Sequence, residues 1–105
     1  MDESGGRPLY SCRNCRNPVA LHAYLESKKF KAKSGEAYLF RQAMNVVVGA
    51  KEVRQLMTGD YAIAKIFCRT CGDEMGWTYL TAFDARQKYK EGKYILEKAK
   101  ILKQY

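Results

Sequence analysis

The sequence predicts a small, mainly antiparallel β domain stapled by one metal ion, and three observations predict it. Four cysteines fall in two CxxC pairs, Cys12 with Cys15 and Cys68 with Cys71, and there is no fifth. Glycines punctuate short segments rich in aromatic and β-branched residues, the composition of half-buried strands. The 105-residue length suits one domain, large enough to bury a core and small enough for a metal to matter to stability.

The elements follow in order. Residues 1–7 are polar and glycine-containing and are expected to form a disordered leader, with a single domain over 8–105. Segments 37–40 and 45–48 have strand composition, with Gly35 before the first and Gly49 ending the second. Segment 53–57 is a weaker strand candidate, closed by the turn Thr58-Gly59-Asp60. Segment 61–68 is the longest strand. Period-two alternation puts Ala62, Ala64, Ile66 and Cys68 on one face and Tyr61, Ile63, Lys65 and Phe67 on the other. Segment 77–83 follows Gly76 and returns as a hairpin partner. Asp84 with Gln87 has capping-box spacing and Gly92 is a natural stop, so 85–91 reads as a short helix. Beyond it, Ile95, Ala99 and Leu102 fit a helix while Tyr94-Ile95-Leu96 fits a buried strand. Periodicity leaves both open.

The formal charge is +8 and it is uneven. Residues 28–57 carry seven Lys/Arg against two Glu, and residues 84–105 carry seven against three acidic residues. Such a surplus suits nucleic acid, an anionic membrane surface or an acidic protein partner without choosing among them. No apolar run reaches the roughly 18 residues of a membrane span, so no membrane segment is expected. The acidic, glycine-rich start MDESGGRPLY has no apolar core of a secretory signal, which predicts the cytoplasm or nucleus, where thiols stay reduced. The basic run KKFKAK (28–33) and the lysine-rich tail interleave charge with Phe30, Tyr89 and Tyr94, a pattern that can hold single-stranded nucleic acid. No recognition helix or RNP-type motif accompanies it, and a solvated basic face is the simpler reading.

The cysteines carry the chemistry. Two residues between thiolates let a tight turn aim both sulfurs at one tetrahedral ion, and zinc accepts four thiolates without redox chemistry. Gly72 frees the backbone to turn after the second pair, and Arg13, Arg16 and Arg69 stand where they would offset thiolate charge. The 52 residues between the pairs mean that the metal ties the start of the domain to its middle. A redox CxxC would open a helix in a βαβ unit, and neither pair has that setting. Four protein ligands leave no position for a catalytic water, and His22 has no fifth cysteine to pair with, so the chain reads as non-enzymatic. Trp77 lies six residues past Cys71, with Tyr79 on its face and Tyr61 able to approach from the neighbouring strand. That trio would form an aromatic groove for a cationic or flat ligand, or Trp77 would simply pack the core beside the knuckle.

The segments LYSCRNCRNPVAL, GEAYLFRQAMNVVVG, the LMTG turn, CRTCGDEMGWTY and QKYKEGKYILEKAKI resemble the Yippee-like family, close to its plant members, over residues 7–103. The resemblance implies that Cys12, Cys15, Cys68 and Cys71 hold one structural Zn²⁺. It implies a β-tent fold, similar to the thalidomide-binding domain of cereblon, the Mis18 centromere proteins and methionine sulfoxide reductase B. There, two antiparallel sheets pack roughly orthogonally, pinned by one Zn(Cys)4 site. It also implies that 94–101 is a strand, with the short helix before the last strand. The offset of Trp77 matches a tryptophan of the cereblon ligand cage, whose other tryptophans have no counterpart here. Reductase chemistry would need a cysteine outside the metal site, and none is left. The resemblance further implies a nuclear or cytoplasmic protein tied to growth, division or stress, with a protein partner such as a multisubunit ubiquitin ligase of the CTLH type. Two positions depart from the family pattern: Tyr61 stands where a histidine is usual, and Val53 where an acidic residue is usual.

Overall fold

The computed structural model describes residues 8–104, so the expected leader, 1–7, lies outside the described residues. Among the described residues, nine strands form two antiparallel sheets. The smaller has the order β2-β1-β9, built from β1 (Leu9–Cys12), β2 (Pro18–Leu21) and β9 (Ile101–Gln104). The larger has the order β3-β4-β8-β7-β6-β5, from β3 (Leu25–Ala32), β4 (Gly35–Phe40), β5 (Val46–Leu56), β6 (Gly59–Cys68), β7 (Glu74–Ala82) and β8 (Tyr94–Glu97). No helix among the described residues is long and apolar enough to cross a membrane.

Several elements differ from the sequence expectation for local reasons. Segments 45–48 and 53–57 are one strand, β5, continuous across a register shift between Val48 and Lys51. Gly49 does not end it. A Cβ there would lie 3.1 Å from the Phe67 ring and 3.3 Å from the Lys65 carbonyl, so glycine lets the bulged strand approach β6. The basic run KKFKAK is itself largely strand, residues 28–32 closing β3 and Lys33 lying in the following turn. The expected helix over 85–91 is a 3₁₀ helix, Ala85–Lys90, in which Asp84 accepts from the Arg86 backbone N–H rather than forming a capping box with Gln87. The expected strand over 94–101 is split by a 3₁₀ turn, Lys98–Lys100. Its first part, β8, lies in the large sheet, and its continuation, β9, pairs with β1 in the small one. One segment thus stitches the two sheets together. β7 begins before Gly76, which sits inside it at φ 157°. A Cβ there would lie 2.0 Å from the Ile95 carbonyl, so only glycine lets β8 pass this close.

The alternation read from segment 61–68 sorts the core into two clusters. Ile66 and Cys68 belong to a cluster with Tyr10, Cys12, Val19, Phe40, Met75, Leu96 and Ile101, between the large sheet and the small one. Tyr61 and Ile63 face the other way, with Ala37, Leu39, Tyr79 and Ile95. Consecutive residues such as Leu39/Phe40 and Ile95/Leu96 divide between the clusters, so the central strands are buried on both faces.

Candidate metal centre and adjoining groove

The two CxxC pairs fold into matching turns. In the first, the Cys12 carbonyl accepts from the Arg16 N–H at 2.8 Å, and the Asn17 carbonyl accepts from the Cys12 N–H at 2.8 Å. In the second, the Cys68 carbonyl accepts from Gly72 N–H and the Asp73 carbonyl from Cys68 N–H, both at 2.8 Å. The residue after each pair has left-handed backbone, φ 69° at Arg16 and 78° at Gly72. β1 and β6 each end on the first cysteine of a pair, so the two sheets deliver their knuckles to one point.

The four sulfurs all lie within 4.8 Å of one another, with Cys12 Sγ 3.7 Å from Cys71 Sγ and Cys15 Sγ 3.5 Å from Cys68 Sγ. A Zn–S bond of about 2.3 Å in a tetrahedron places its sulfurs about 3.8 Å apart. The donor set therefore fits zinc, and the separations are far longer than a disulfide's roughly 2.05 Å. Acid–base behaviour agrees. Burial, the largest influence on Cys68, is outweighed by the Cys71 backbone N–H and the Asn17 side-chain amide, which bring its thiol down to about 6. Burial raises Cys12. At Cys15 the Asn17 backbone N–H is the strongest single influence and lowers the thiol, but burial and three neighbouring sulfurs together hold it at about 12. Four crowded thiols resist common ionisation without a cation, and a divalent ion removes that resistance.

Supporting residues arrange the turns. Asn17 Nδ2 donates to Cys68 Sγ at 3.3 Å and to the Asn45 carbonyl at 3.0 Å, bridging the first knuckle to the second. Arg13, beside the first knuckle, has its hydrogen bonds elsewhere than on sulfur. Its guanidinium donates to the Ala99 and Ile101 carbonyls, each at 3.1 Å, and so fastens the 3₁₀ turn between the sheets. His22 opens a 3₁₀ helix, half-buried, with Nδ1 3.1 Å from the Tyr10 hydroxyl. Its pKa is lowered by burial first and then by Lys103 and Lys28.

On the other face of the large sheet lies a groove of about 830 Å³, lined by Lys29–Lys33, Ile63, Trp77, Tyr79 and Tyr89 among others. Trp77 packs edge-to-face on Tyr79, 6.3 Å between centroids, and Tyr79 meets Tyr61 at 5.0 Å. Tyr61 and Tyr79 are buried and Trp77 half-buried. Burial pushes the Tyr79 hydroxyl up to about 12. The box is already occupied by the chain's own cation. Lys90, 2% exposed, donates from Nζ to the Tyr61 hydroxyl at 2.9 Å and to Thr58 Oγ1 at 3.1 Å. The same nitrogen stands 5.1 Å from the Phe30 and Tyr61 ring centres and 5.5 Å from that of Tyr79. The Trp77 indole N–H is buried and has no well-formed hydrogen bond among the described residues.

A family described as "Yippee zinc-binding/DNA-binding /Mis18, centromere assembly" matches residues 9–104. The chain belongs to the Yippee-Mis18 family. A yippee-like protein of Arabidopsis thaliana is 52% identical over 104 residues, spanning 99% of this chain and 98% of its own. Yippee-like 4 of Mus musculus is 48% identical over 94 residues, spanning 90% of this chain and 74% of its own. The crystal structure of the Mis18 "Yippee-like" domain superposes with a TM-score of 0.74 at 13% identity, over 94% of this chain and 96% of that one. The Yippee-like fold expected from the sequence is thus the fold observed.

In this Yippee domain the structure brings Cys12, Cys15, Cys68 and Cys71 together. It also makes Trp77, Tyr79 and Tyr61 neighbours, with Trp77 and Tyr79 on the groove and Tyr61 beneath Lys90. Sequence reasoning missed Asn17 and Lys90. Asn17 repeats the Arg-Asn step inside CRNCRN, a faint signal, whereas nothing marks Lys90 among the tail's lysines as the buried one.

Proposed function

We propose that this chain is a non-enzymatic protein-interaction module whose scaffold is locked by one structural Zn²⁺ on Cys12, Cys15, Cys68 and Cys71. The observation that carries the reading is a four-sulfur site contributed by both sheets, which leaves a bound zinc no open coordination position for substrate. Its work then lies in presenting a rigid surface, as a nuclear or cytoplasmic regulator or adaptor in growth or stress, including within a multisubunit ubiquitin ligase. Metal content by mass spectrometry, with circular dichroism before and after chelation, tests the scaffold. One zinc per chain, lost together with the β signal, supports it. A folded metal-free chain reopens redox chemistry at the cysteines. Affinity capture with the zinc-loaded chain tests the partner, and no retained protein would sink the adaptor role.

The buried Trp77 N–H, with no well-formed hydrogen bond among the described residues, favours a second reading, a small flat ligand in the groove bounded by Trp77 and Tyr79, with Tyr61 supporting the box from below. A cationic ligand would have to displace Lys90 from the rings. Nucleic-acid binding, which the family description includes, draws on the basic face; its signature would be affinity that falls steeply with salt.

A further inference from the structure

Three features of the groove point in one direction. The first is its wall. β3 is an edge strand with β4 as its neighbour in the sheet, and residues 29–33, running from β3 into the following turn, all line the groove. An edge strand presents unpaired N–H and C=O groups, a ready template for another strand.

The second feature is charge. Lys29, Lys31 and Lys33 are exposed, and none forms an ion pair with a described residue, in contrast to Lys93 with Glu26, Lys98 with Glu36 and Lys100 with Asp73. Lysines on an edge repel a second copy of a chain that carries +8, while they attract an acidic strand. Cations are disfavoured again by Lys90, which already holds the Phe30, Tyr61 and Tyr79 rings.

The third feature is the floor. Ile63, Leu56 and Trp77 offer apolar surface, and the Trp77 indole N–H is a buried donor with no well-formed hydrogen bond among the described residues. Nucleic acid fits less well, because base stacking needs free ring faces. The Phe30 and Tyr61 rings each stand 5.1 Å from Lys90 Nζ, and Tyr89 is the exposed aromatic of the set.

We propose that this groove accepts an extended acidic peptide from a protein partner, which pairs with the free edge of β3, sets its carboxylates on Lys29, Lys31 and Lys33, and sends an apolar side chain towards Trp77. The proposal rests on the interaction-module reading and specifies the partner's chemistry.

The probe is a short fluorescein-labelled peptide alternating Glu with Phe and Ser, titrated by anisotropy against the zinc-loaded chain. It binds, and the Trp77 emission shifts. The triple variant Lys29→Glu, Lys31→Glu, Lys33→Glu, all exposed positions away from the metal, loses affinity by about tenfold or more. N-methylation of alternate peptide amides causes a similar loss, because strand pairing needs those hydrogens. Four results would overturn the proposal: no binding up to about 1 mM peptide, equal affinity for the triple variant, indifference to N-methylation, or tighter binding of oligothymidine than of the acidic peptide. Affinity capture with the same variant separates the two layers. A partner retained by both chains ends the groove proposal and leaves the module, whereas no partner for either chain ends the module reading itself.

Discussion

The two faces of the six-stranded sheet bury opposite kinds of chemistry. The face towards the small sheet joins aromatic and aliphatic side chains to four thiols, and two of those thiols, Cys12 and Cys68, are among its most buried residues. The other face buries a lysine among four rings, satisfies it with two hydroxyls and stays open as a groove. On the first face, four thiols that resist ionising together suit a cation from outside the chain. On the second, the chain supplies the cation itself. One closes the structure and the other leaves a surface for use, because a groove lined by residues 29–33 runs beside the buried Lys90.

The largest expected effect breaks the metal face. Chelation, or Cys68→Ser, should unfold the chain, since structural zinc supplies about 10 kcal/mol or more in small domains whose total stability is no larger. Circular dichroism reads this directly, and a melting temperature unchanged by chelation would remove the staple from the account. Next, Lys90→Ala should cost about 2–4 kcal/mol by opening a void among the rings and removing the donor shared by the Tyr61 and Thr58 hydroxyls, which keep only each other. Lys90→Met, which keeps the stem, should recover about half of that. If urea midpoints show Met no better than Ala, the charge rather than the packing holds this face.

Smaller changes sharpen the contrast between the two knuckles within the metal face. Arg16 holds a left-handed backbone that Gly72 adopts freely, so Arg16→Gly should stabilise by about 1 kcal/mol, and Gly72→Ala should destabilise by about as much. Equal urea midpoints for wild type and Arg16→Gly would mean that the first turn carries no such strain. The smallest effect is on pH. The folded pKa of His22 is lowered, chiefly by burial, so the unfolded chain binds its proton first as pH falls. Its contribution to stability is therefore present above about 6.5, the ordinary histidine value, and is lost as pH drops through the folded value. An NMR titration of this single imidazole should give a midpoint below the ordinary value; a midpoint at or above it would contradict the burial.

The four-cysteine cluster was legible because its signal is local. A CxxC turn needs nearby residues alone, and two such turns with no other cysteine leave one arrangement for four ligands. The two faces of β6 were legible too, since alternation over 61–68 sorts Ile66 and Cys68 from Tyr61 and Ile63, as the two clusters show. The short strands β1 and β2 were less so, being four residues each and set beside a knuckle whose polar residues mask any period. The hydrogen bonding of Arg13 was not legible because its carbonyl acceptors lie 86 and 88 residues away.

What the sequence determined by itself, then, is the paired cysteines, the turn chemistry and the two-faced pattern of the central strands, all properties of neighbours along the chain. Only the tertiary structure decided that residues 94–104 change sheets at a 3₁₀ turn, that Lys90 alone among the tail's lysines is buried, and that the basic run forms a free edge beside a groove. Each of those depends on which distant strand lies alongside. A lysine's environment and a strand's free edge are set by partners that no local pattern names.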